Sequence, residues 1–219
     1  TESVDTLKTL TGTTHAYTIV IADDDAETST AADLNTINEK TTGTIDASAI
    51  TVLASDNITN IQTLLTAGND AEQFTATSFG ELTGVTVSDE TLDGEKLADA
   101  IDQANLLTED TSVVFTISAA TTIEGSEDDF TALLTDDGNE QINIENQNIS
   151  VSGTISVENA NNLDDATGGT ITASIDTTES VDTLKTLTGT THAYTIVIAD
   201  DDAETSTAAD LNTINEKTT

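Results

Sequence analysis

Apolar residues recur three or four positions apart in seven short segments of the chain. This spacing places the apolar side chains on one side of a helix, so it predicts seven short amphipathic helices. The segments begin at positions 4, 31, 58, 97, 130, 157 and 181, which are roughly 30 residues apart. The seven sets are Val4, Leu7 and Leu10; Ala31, Leu34 and Ile37; Ile58, Ile61, Leu64 and Leu65; Leu97, Ile101 and Ala104; Phe130, Leu133 and Leu134; Val157, Ala160 and Leu163; and Val181, Leu184 and Leu187.

Runs of alternating apolar and polar residues lie between these helical segments. Period-two alternation is typical of a strand that has one buried and one solvated face. The predicted strands are residues 17–21, 44–48, 113–117, 141–145, 148–152 and 170–175. A longer step separates the segments that begin at 58 and 97, and we interpret residues 74–91 within it as an added strand pair or a protruding loop.

Several element boundaries carry their own signals. Thr30, Asp56 and Asp93 precede helical segments and are residue types that cap helix N-termini. Residues 37–49 (INEKTTGTIDASA) align without a gap to residues 163–175 (LDDATGGTITASI). The glycines they share, Gly43 and Gly169, fall between a helix end and a strand, where we expect positive φ to favour glycine.

One helix and one strand in each segment predict an α/β solenoid-like repeat, because no segment can bury its apolar stripe without its neighbours. Strands joined through helices must run parallel, so we expect a parallel sheet and about six helix–strand coils. The alternative is a row of tandem all-β sandwich modules, which are built from antiparallel strands.

The two ends of the chain have the same sequence. Residues 1–42 recur without a difference as residues 178–219, an offset of 177 positions (178 − 1 = 177). We therefore predict that residues 1–177 are one complete unit, with coils that start near 4, 31, 58, 97, 130 and 157. Residues 178–219 are then the beginning of the next identical unit, and the chain is expected to be part of a longer array.

The composition excludes several functional classes. A net charge of −36 with five lysines and no arginine argues against nucleic-acid binding and against docking on anionic membranes. The absence of cysteine excludes disulfides and thiolate metal sites. No apolar run is long enough to cross a membrane. The acidity fits either a solvated surface or a saline, calcium-rich extracellular setting.

Catalytic chemistry has little support in the sequence. His15 and His192 occupy the same position of the two copies, and a single histidine without cysteine forms neither a zinc site nor a Cys/His pair. The simplest interpretation of each is a surface or strand-edge histidine. No nucleophile elbow, phosphate loop or dinucleotide fingerprint is present, so we predict that the chain is not an enzyme.

Calcium is the one ligand for which candidates exist, because hard cations bind several oxygens that converge from a loop. No certain cofactor is predicted, and none of the acidic runs has EF-hand spacing. The candidate calcium ligands are Asp23, Asp24, Asp25 and Glu27, which recur in residues 200–204, together with Asp136, Asp137, Asn139 and Glu140.

Residues 31–51 (AADLNTINEKTTGTIDASAIT) and 161–175 resemble repeat regions of giant Thr/Asp-rich secreted or cell-surface proteins of aquatic bacteria, cyanobacteria especially. The resemblance implies an extracellular or cell-surface scaffold without catalytic residues. We therefore expect a structural segment of a filament, fibril or coat, whose partners are copies of itself. The alternative is an adhesin stalk or a module that binds calcium or a surface polysaccharide.

Overall fold

The computed structural model of the chain describes residues 2–12, 15–22, 28–108, 113–199 and 206–219. Helices and strands alternate through this part of the chain. The helices are α1 (Val4–Leu7), α2 (Ala31–Asn38), α3 (Ile58–Gly68), α4 (Gly94–Leu107), α5 (Glu127–Gly138), α6 (Val157–Ala166), α7 (Val181–Leu184) and α8 (Ala208–Asn215). The strands are β1 (Ile19–Val20), β2 (Ile45–Asp46), β3 (Val52–Asp56), β4 (Gly84–Val87), β5 (Thr91–Asp93), β6 (Val114–Thr116), β7 (Thr122–Gly125), β8 (Asn148–Ile155), β9 (Ile171–Ile175) and β10 (Ala193–Thr195).

The chain divides into two compact units that interleave in sequence. The first unit comprises Thr1–Asp89, Lys96–Ala119 and Gly138–Ile142, and the second comprises Glu90–Glu95, Ala120–Asp137 and Asn143–Thr219. The boundary between residues 177 and 178 therefore lies inside the second unit.

Every strand pair that the structure describes is parallel. The first unit holds the pair β1–β2 and a sheet of order β3-β4-β6, and the second holds a sheet of order β10-β9-β8-β7-β5. The protein is thus α/β with parallel sheets, as the sequence predicts. Antiparallel sandwich modules do not fit these pairings, because their strands pair in opposite directions.

The helices begin where short polar side chains cap them. Thr30 accepts a hydrogen bond from the Asp33 N–H at 3.2 Å, so its predicted role as the α2 N-cap is confirmed. The prediction for α3 is wrong by one residue, because the cap is Asn57, which accepts from the Asn60 N–H at 3.0 Å. Asp56 Oδ1 accepts from the Asn57 N–H and from Asn60 Nδ2 at the start of α3, and its Oδ2 reaches a neighbouring helix, as described below.

The predicted apolar stripes form the core of each unit. In α3 of the first unit, Ile58, Ile61, Leu64 and Leu65 are all buried. In α6 of the second unit, the buried side chains are Val157, Ala160 and Leu163. Aliphatic side chains dominate both cores because aromatic residues are only 3% of the chain.

Two predicted strand regions differ from the structure. Residues 141–145 alternate as predicted, with Ile142 and Ile144 buried, but they form no strand. The chain turns directly afterwards, and the Gln141 side chain is buried where its amide donates to Asn105 Oδ1 at 2.6 Å. The Gln141 side chain is thus satisfied by α4, and its carbonyl oxygen accepts from the Phe115 N–H of β6 at 2.7 Å.

The inserted residues 74–91 are neither a strand pair nor a protruding loop. Phe74 and Phe79 are buried with their ring centroids 5.3 Å apart, and β4 follows as the central strand of the three-stranded sheet. Five buried apolar side chains explain why this segment packs inside the first unit; they are Phe74, Phe79, Leu82, Val85 and Val87.

Candidate functional site

A threonine hydroxyl ties the turn after α2 to the strand region that precedes it. Thr41 Oγ1 lies 2.8 Å from the Tyr17 carbonyl oxygen and 3.2 Å from that of His15. The Gly43 N–H donates to the same hydroxyl at 2.8 Å. Together, these bonds fix the end of one helix–strand element to backbone about 25 residues earlier.

The same arrangement recurs in the second unit. Thr167 Oγ1 lies 2.6 Å from the Gln147 carbonyl oxygen, and the Gly169 N–H donates to Thr167 Oγ1 at 3.0 Å. Thr218, which is the counterpart of Thr41, lies 2.7 Å from the Tyr194 carbonyl oxygen. The predicted helix–glycine–strand element therefore owes its Thr-x-Gly pattern to a hydrogen-bonded connection between neighbouring elements.

From the sequence we expected positive φ at the two glycines of this element, and that prediction is wrong. Glycine is needed there because backbone from a neighbouring element approaches closely. Neither Gly43 nor Gly169 has positive φ. A Cβ at Gly43 would contact the Tyr17 carbonyl oxygen and lie 3.0 Å from its carbon. A Cβ at Gly169 would overlap the Gln147 carbonyl oxygen and lie 2.6 Å from its carbon. Both positions exclude a side chain because rigid backbone occupies the space.

Carboxylates at the ends of strands cap helices that precede them in the chain. Asp56 Oδ2 accepts from the Ala32 N–H of α2 at 2.6 Å, and Asp89 Oδ2 accepts from the Ile58 N–H of α3 at 2.7 Å. The first N–H groups of a helix lack partners within it and attract negative charge. Part of the acidity of the chain therefore has a structural role between neighbouring elements.

The junction at the duplicated sequence lies within the second unit. We call residues 1–42 the first copy, residues 178–219 the second copy, and residues 157–176, which hold α6 and β9, the acceptor segment. Strand β10 of the second copy pairs with β9 of the acceptor segment, with Tyr194 opposite Ala173. The second copy thus extends the parallel sheet by one strand.

His192 joins the second copy to the acceptor segment. Its ring is only 2% exposed, its Nδ1 accepts from the Ile171 N–H at 3.1 Å, and its Nε2 lies 2.6 Å from Asp164 Oδ1. Because Nδ1 is the acceptor, the Nε2 proton is the one donated to Asp164. Both ring nitrogens are therefore used in the junction.

Two further polar contacts complete the junction. The Asn161 side chain donates to the Thr186 carbonyl oxygen at 3.1 Å and accepts from the Thr188 N–H at 2.8 Å. Glu179 accepts from the Val157 N–H at 3.1 Å, so it caps α6 as Asp56 and Asp89 cap the helices of the first unit.

Burial of Asp164 raises its pKa, but hydrogen bonds from His192 and Thr188 and the attraction to the imidazole together lower the pKa below its ordinary value. The carboxylate form of Asp164 is therefore the one that the junction favours.

The same side chains have different environments in the two copies. His192, Tyr194 and Leu187 are buried, whereas His15 is exposed and Tyr17 and Leu10 are only partly covered. The sequence of the two copies is the same, so the contrast comes from their surroundings, which for the second copy include the acceptor segment. The contrast identifies His192, Tyr194 and Leu187 as the residues of the second copy that pack against the acceptor segment.

The opposite contrast occurs at the α2 and α8 helices. Ala31 and Leu34 are buried in the first unit, where α2 packs against α3. Their counterparts Ala208 and Leu211 are exposed, with Leu211 at 43%. Each copy therefore has a second apolar face, which is separate from the face that contains the histidine.

One ion pair recurs inside both copies. Lys8 Nζ lies 3.0 Å from Asp33 Oδ1, and Lys185 Nζ lies 2.8 Å from Asp210 Oδ1. Such partly exposed ion pairs contribute little stability individually. Their recurrence shows that the contact between the first helix and the second helix of each copy is kept in two settings.

A buried hydroxyl at the junction has no partner among the residues that the structure describes. Tyr194 is 5% exposed, and its hydroxyl oxygen lacks a hydrogen bond. Burial and the nearby Asp164 carboxylate raise the pKa of Tyr194. Its ring packs against His192 with the centroids 5.4 Å apart.

We expect Tyr194→Phe to raise the free energy of unfolding by about 1 kcal/mol, because it removes an unsatisfied buried hydroxyl and keeps the ring. Urea denaturation measures the change. Tyr17→Phe is the matched control in the first copy and should leave stability unchanged. A loss of stability in Tyr194→Phe alone would show that the hydroxyl has a partner.

Another carboxylate contact links α5 to the start of α6. Glu127 Oε1 accepts from the Ser156 N–H at 3.0 Å, from Ser156 Oγ at 2.7 Å and from Asn159 Nδ2 at 2.7 Å. Burial and the charge of Asp176 raise the pKa of Glu127, but these hydrogen bonds outweigh both and lower it.

Because the pKa of Glu127 is lower in the folded chain, its stabilising effect is present above the unfolded value and is lost as the pH falls through the folded value. We expect Glu127→Gln to reduce stability by about 1 kcal/mol at pH 7. The difference from the original chain should shrink progressively below about pH 4.5. Urea titrations across this range test the prediction, and a difference independent of pH contradicts it.

The candidate calcium ligands in the last turn of α5 and directly after it do not form a cluster. Asp136 is buried, Asp137 Oδ1 accepts from the Ile144 N–H at 3.1 Å, and Asn139 and Glu140 are exposed. Within the described ranges, no three His, Cys, Asp or Glu side chains are grouped so that they could hold a metal ion. The other candidates lie outside the described residues; they are Asp23, Asp24, Asp25, Glu27 and their counterparts in residues 200–204.

Calcium binding stays a prediction, and thermal melting can test it. A net charge of −36 should make the melting temperature rise with ionic strength, because salt screens repulsion within the chain. If calcium binds, it should raise the melting temperature more than sodium chloride of the same ionic strength does. A chelator should reverse this additional rise. A melting temperature that follows ionic strength alone contradicts calcium binding.

The interpretation of the histidines is correct for one copy and wrong for the other. His15 is exposed, as expected of a surface residue, but His192 is buried and bonded through both ring nitrogens. Sequence reasoning also missed Asn161 and Asp164. Their spacing of three on the amphipathic α6 places them on neighbouring turns, which is the one signal that could have identified them.

Comparison with known proteins identifies no relative: no family model, no curated protein and no solved structure matches the chain. None of the helices in the described part of the chain is both long and apolar enough to cross a membrane.

Proposed function

We propose that the chain is a structural tandem-repeat segment of a long extracellular protein that forms a cell-surface filament, fibril or coat. The observation that carries the proposal is the junction between the acceptor segment and the second copy. There, a sequence that also begins the chain joins the sheet in parallel and buries His192 and Leu187. A segment that docks in this way allows units to follow one another without a gap.

The connections between successive elements support a solenoid-like arrangement of helix–strand coils. Hydrogen bonds from Thr41 and Thr167, and the carboxylate caps at Ala32 and Ile58, all join residues that are 20 to 31 positions apart. Each connection satisfies backbone groups of one coil with groups of the next. In a repeat protein, stability is approximately the sum of such nearest-neighbour terms.

The charge and composition support an external, structural role. Acidic groups that are not used as caps keep an extended assembly hydrated and prevent lateral collapse through repulsion. The proposed mechanism requires no catalytic group and no cofactor. Its partners are further copies of the same unit, and ions in the medium regulate how closely assembled chains approach.

Chains with one, two or three 177-residue units before the final 42 residues test this proposal. Electron microscopy and small-angle scattering should show one continuous rod, whose length increases by the same increment with each unit. A matched control carries a flexible linker of about ten Gly and Ser residues between positions 177 and 178. If the chain without this linker has the same broad distribution of lengths as the control, the units do not stack and the proposal is wrong.

A further inference from the structure

We infer that a groove in the first unit binds a basic, amphipathic peptide segment of a partner protein. The groove has a volume of about 700 Å³, and every residue that lines it belongs to the first unit. Ligand sites in proteins commonly have volumes of about 300–1,000 Å³. The apolar part of its lining includes Gly68, Phe74, Ala76, Gly80, Leu106 and Leu107.

The inserted residues 74–91 contribute much of this lining, so we call the site the insertion groove. Phe74, Thr77 and Gly80 come from the insertion, whereas Gly68 and Leu107 come from the ends of α3 and α4. Insertions between regularly spaced segments often form the binding face of repeat proteins. The place where the regular spacing of this chain is broken is therefore also the place where the groove forms.

Contacts within the insertion hold this part of the groove in one conformation. The buried Ser78 hydroxyl accepts from the Ala47 N–H at 3.0 Å and donates to the Ile45 carbonyl oxygen at 3.1 Å. Phe79 is buried with a φ of 60°, in the left-handed region that bulky residues rarely adopt. Such a conformation persists only where the surroundings impose it. A groove that is formed before its ligand arrives reduces the entropic cost of binding.

Leu106 provides an exposed apolar contact at the insertion groove. It is 70% exposed, more than any other large apolar residue in the described part of the chain. A ligand that covers it removes apolar surface from water, which favours binding. The partner segment must therefore carry an apolar side chain.

The electrostatic surroundings of the groove favour a basic partner. The C-terminal ends of α3 and α4 both contribute lining residues, and a helix C-terminus carries partial negative charge. Neither helix has a basic residue in its last turn to compensate that charge. The exposed Glu81 adds a carboxylate to the lining, and none of the lining residues that the structure describes is basic.

A basic partner also fits the charge of the chain as a whole. Two copies of a chain with a net charge of −36 repel each other, and an anionic membrane surface repels the chain for the same reason. A lysine or arginine beside an apolar side chain complements both the negative charge of the groove and the exposed Leu106. The inference does not rest on the proposed function, because the groove is complete within one unit.

Three fluorescent peptides test the two requirements at physiological ionic strength with the full chain. The probe is Lys-Leu-Leu-Lys-Leu-Leu-Lys; serine replaces every leucine in the second peptide and every lysine in the third. We expect the probe to bind at least about tenfold more tightly than the second peptide, because only the probe buries leucine side chains. It should bind at least about threefold more tightly than the third peptide, which lacks the charge. Fluorescence anisotropy measures all three affinities.

Matched substitutions locate the binding. Leu106→Ser should weaken binding of the probe at least about tenfold, whereas Leu211→Ser, at a leucine that is 43% exposed elsewhere, should leave it unchanged. Glu81→Gln should weaken binding about threefold, whereas Glu145→Gln, at another exposed carboxylate, should leave it unchanged. Circular dichroism checks that each variant is folded.

Nuclear magnetic resonance gives an independent readout of the site. Addition of the probe should shift the amide signals of Gly68, Gly80 and Leu106 and leave those of β9 in place. The inference is overturned if the probe does not bind, if either comparison peptide binds as tightly, or if Leu106→Ser leaves the affinity unchanged. None of these results affects the stacking of covalently joined units, and units that fail to stack as a rod leave the groove unaffected.

Discussion

Replacing Gly169 by alanine is expected to lower the free energy of unfolding by about 2–3 kcal/mol. The added Cβ would overlap the Gln147 carbonyl group and approach the Asn148 nitrogen to 2.9 Å. Backbone atoms cannot rotate away as a flexible side chain can. Relief therefore requires a shift of the turn, which stretches the bond from the Gly169 N–H to Thr167.

Gly168 is a matched control one residue away. A Cβ there would meet the Glu145 carbonyl oxygen at 3.5 Å, which is an ordinary van der Waals distance. We expect Gly168→Ala to change stability by less than about 0.5 kcal/mol, because surface changes without a steric conflict have small effects. Both substitutions reduce backbone freedom in the same way. The difference between their effects on the free energy of unfolding therefore measures the steric effect alone.

Urea denaturation followed by circular dichroism measures both glycine variants under the same conditions. Gly43→Ala extends the test to the first unit, where the corresponding Cβ would contact the Tyr17 carbonyl group. Equal stabilities for Gly168→Ala and Gly169→Ala would show that the close approach is relieved without cost. The Thr-x-Gly element would then not be a necessary connection between neighbouring elements.

The features that the sequence predicts best are those set by local periodicity. Apolar spacing identifies the buried faces of α3 and α6, because residues three and four apart share one side of a helix. The parallel direction of the strands follows from the helices between them. Both inferences use only the covalent order of the chain and simple geometry.

Long-range contacts explain what the sequence could not predict. Gly43 and Gly169 are required by carbonyl groups more than 20 residues earlier, and no local pattern shows those groups. Residues 141–145 alternate like a strand but form none, and the buried Gln141 side chain bonds to Asn105. In both cases, a partner distant in sequence decides the structure.

The two histidines show most clearly that local sequence does not determine the environment of a side chain. His15 and His192 have identical neighbours for many residues on both sides, yet one is exposed and the other buried. No method that uses local sequence alone can assign them different environments. The difference arises because Asp164 and Ile171 contact His192 of the second copy, and only the fold shows this contact.

His192→Ala is accordingly expected to reduce the stability of the second copy by about 2–4 kcal/mol. The substitution leaves the Ile171 N–H without its acceptor and Asp164 without its donor, and it opens a cavity beside Tyr194. A buried donor that loses its partner keeps the full cost of its desolvation. The loss should be local, because the residues that lose their partners all lie at the junction in the second unit.

Native-state hydrogen exchange measures this local effect directly. Amides of β10 that face β9 should exchange about 30-fold or more faster in His192→Ala, since every 1.4 kcal/mol changes an opening equilibrium tenfold. Amides of α3 in the first unit should keep their exchange rates. His15→Ala is the matched control in the same sequence context, and it should alter neither region by more than about twofold, because its side chain is exposed.

The comparison between the two histidines separates burial from sequence. If both alanine variants accelerate exchange equally in their own copies, the contacts to Asp164 and Ile171 contribute nothing, and the second copy is held by its internal packing alone. If only His192→Ala has an effect, docking on the acceptor segment stabilises the second copy. Because the copies share 42 residues without a difference, no variation in helix propensity or composition can account for that outcome.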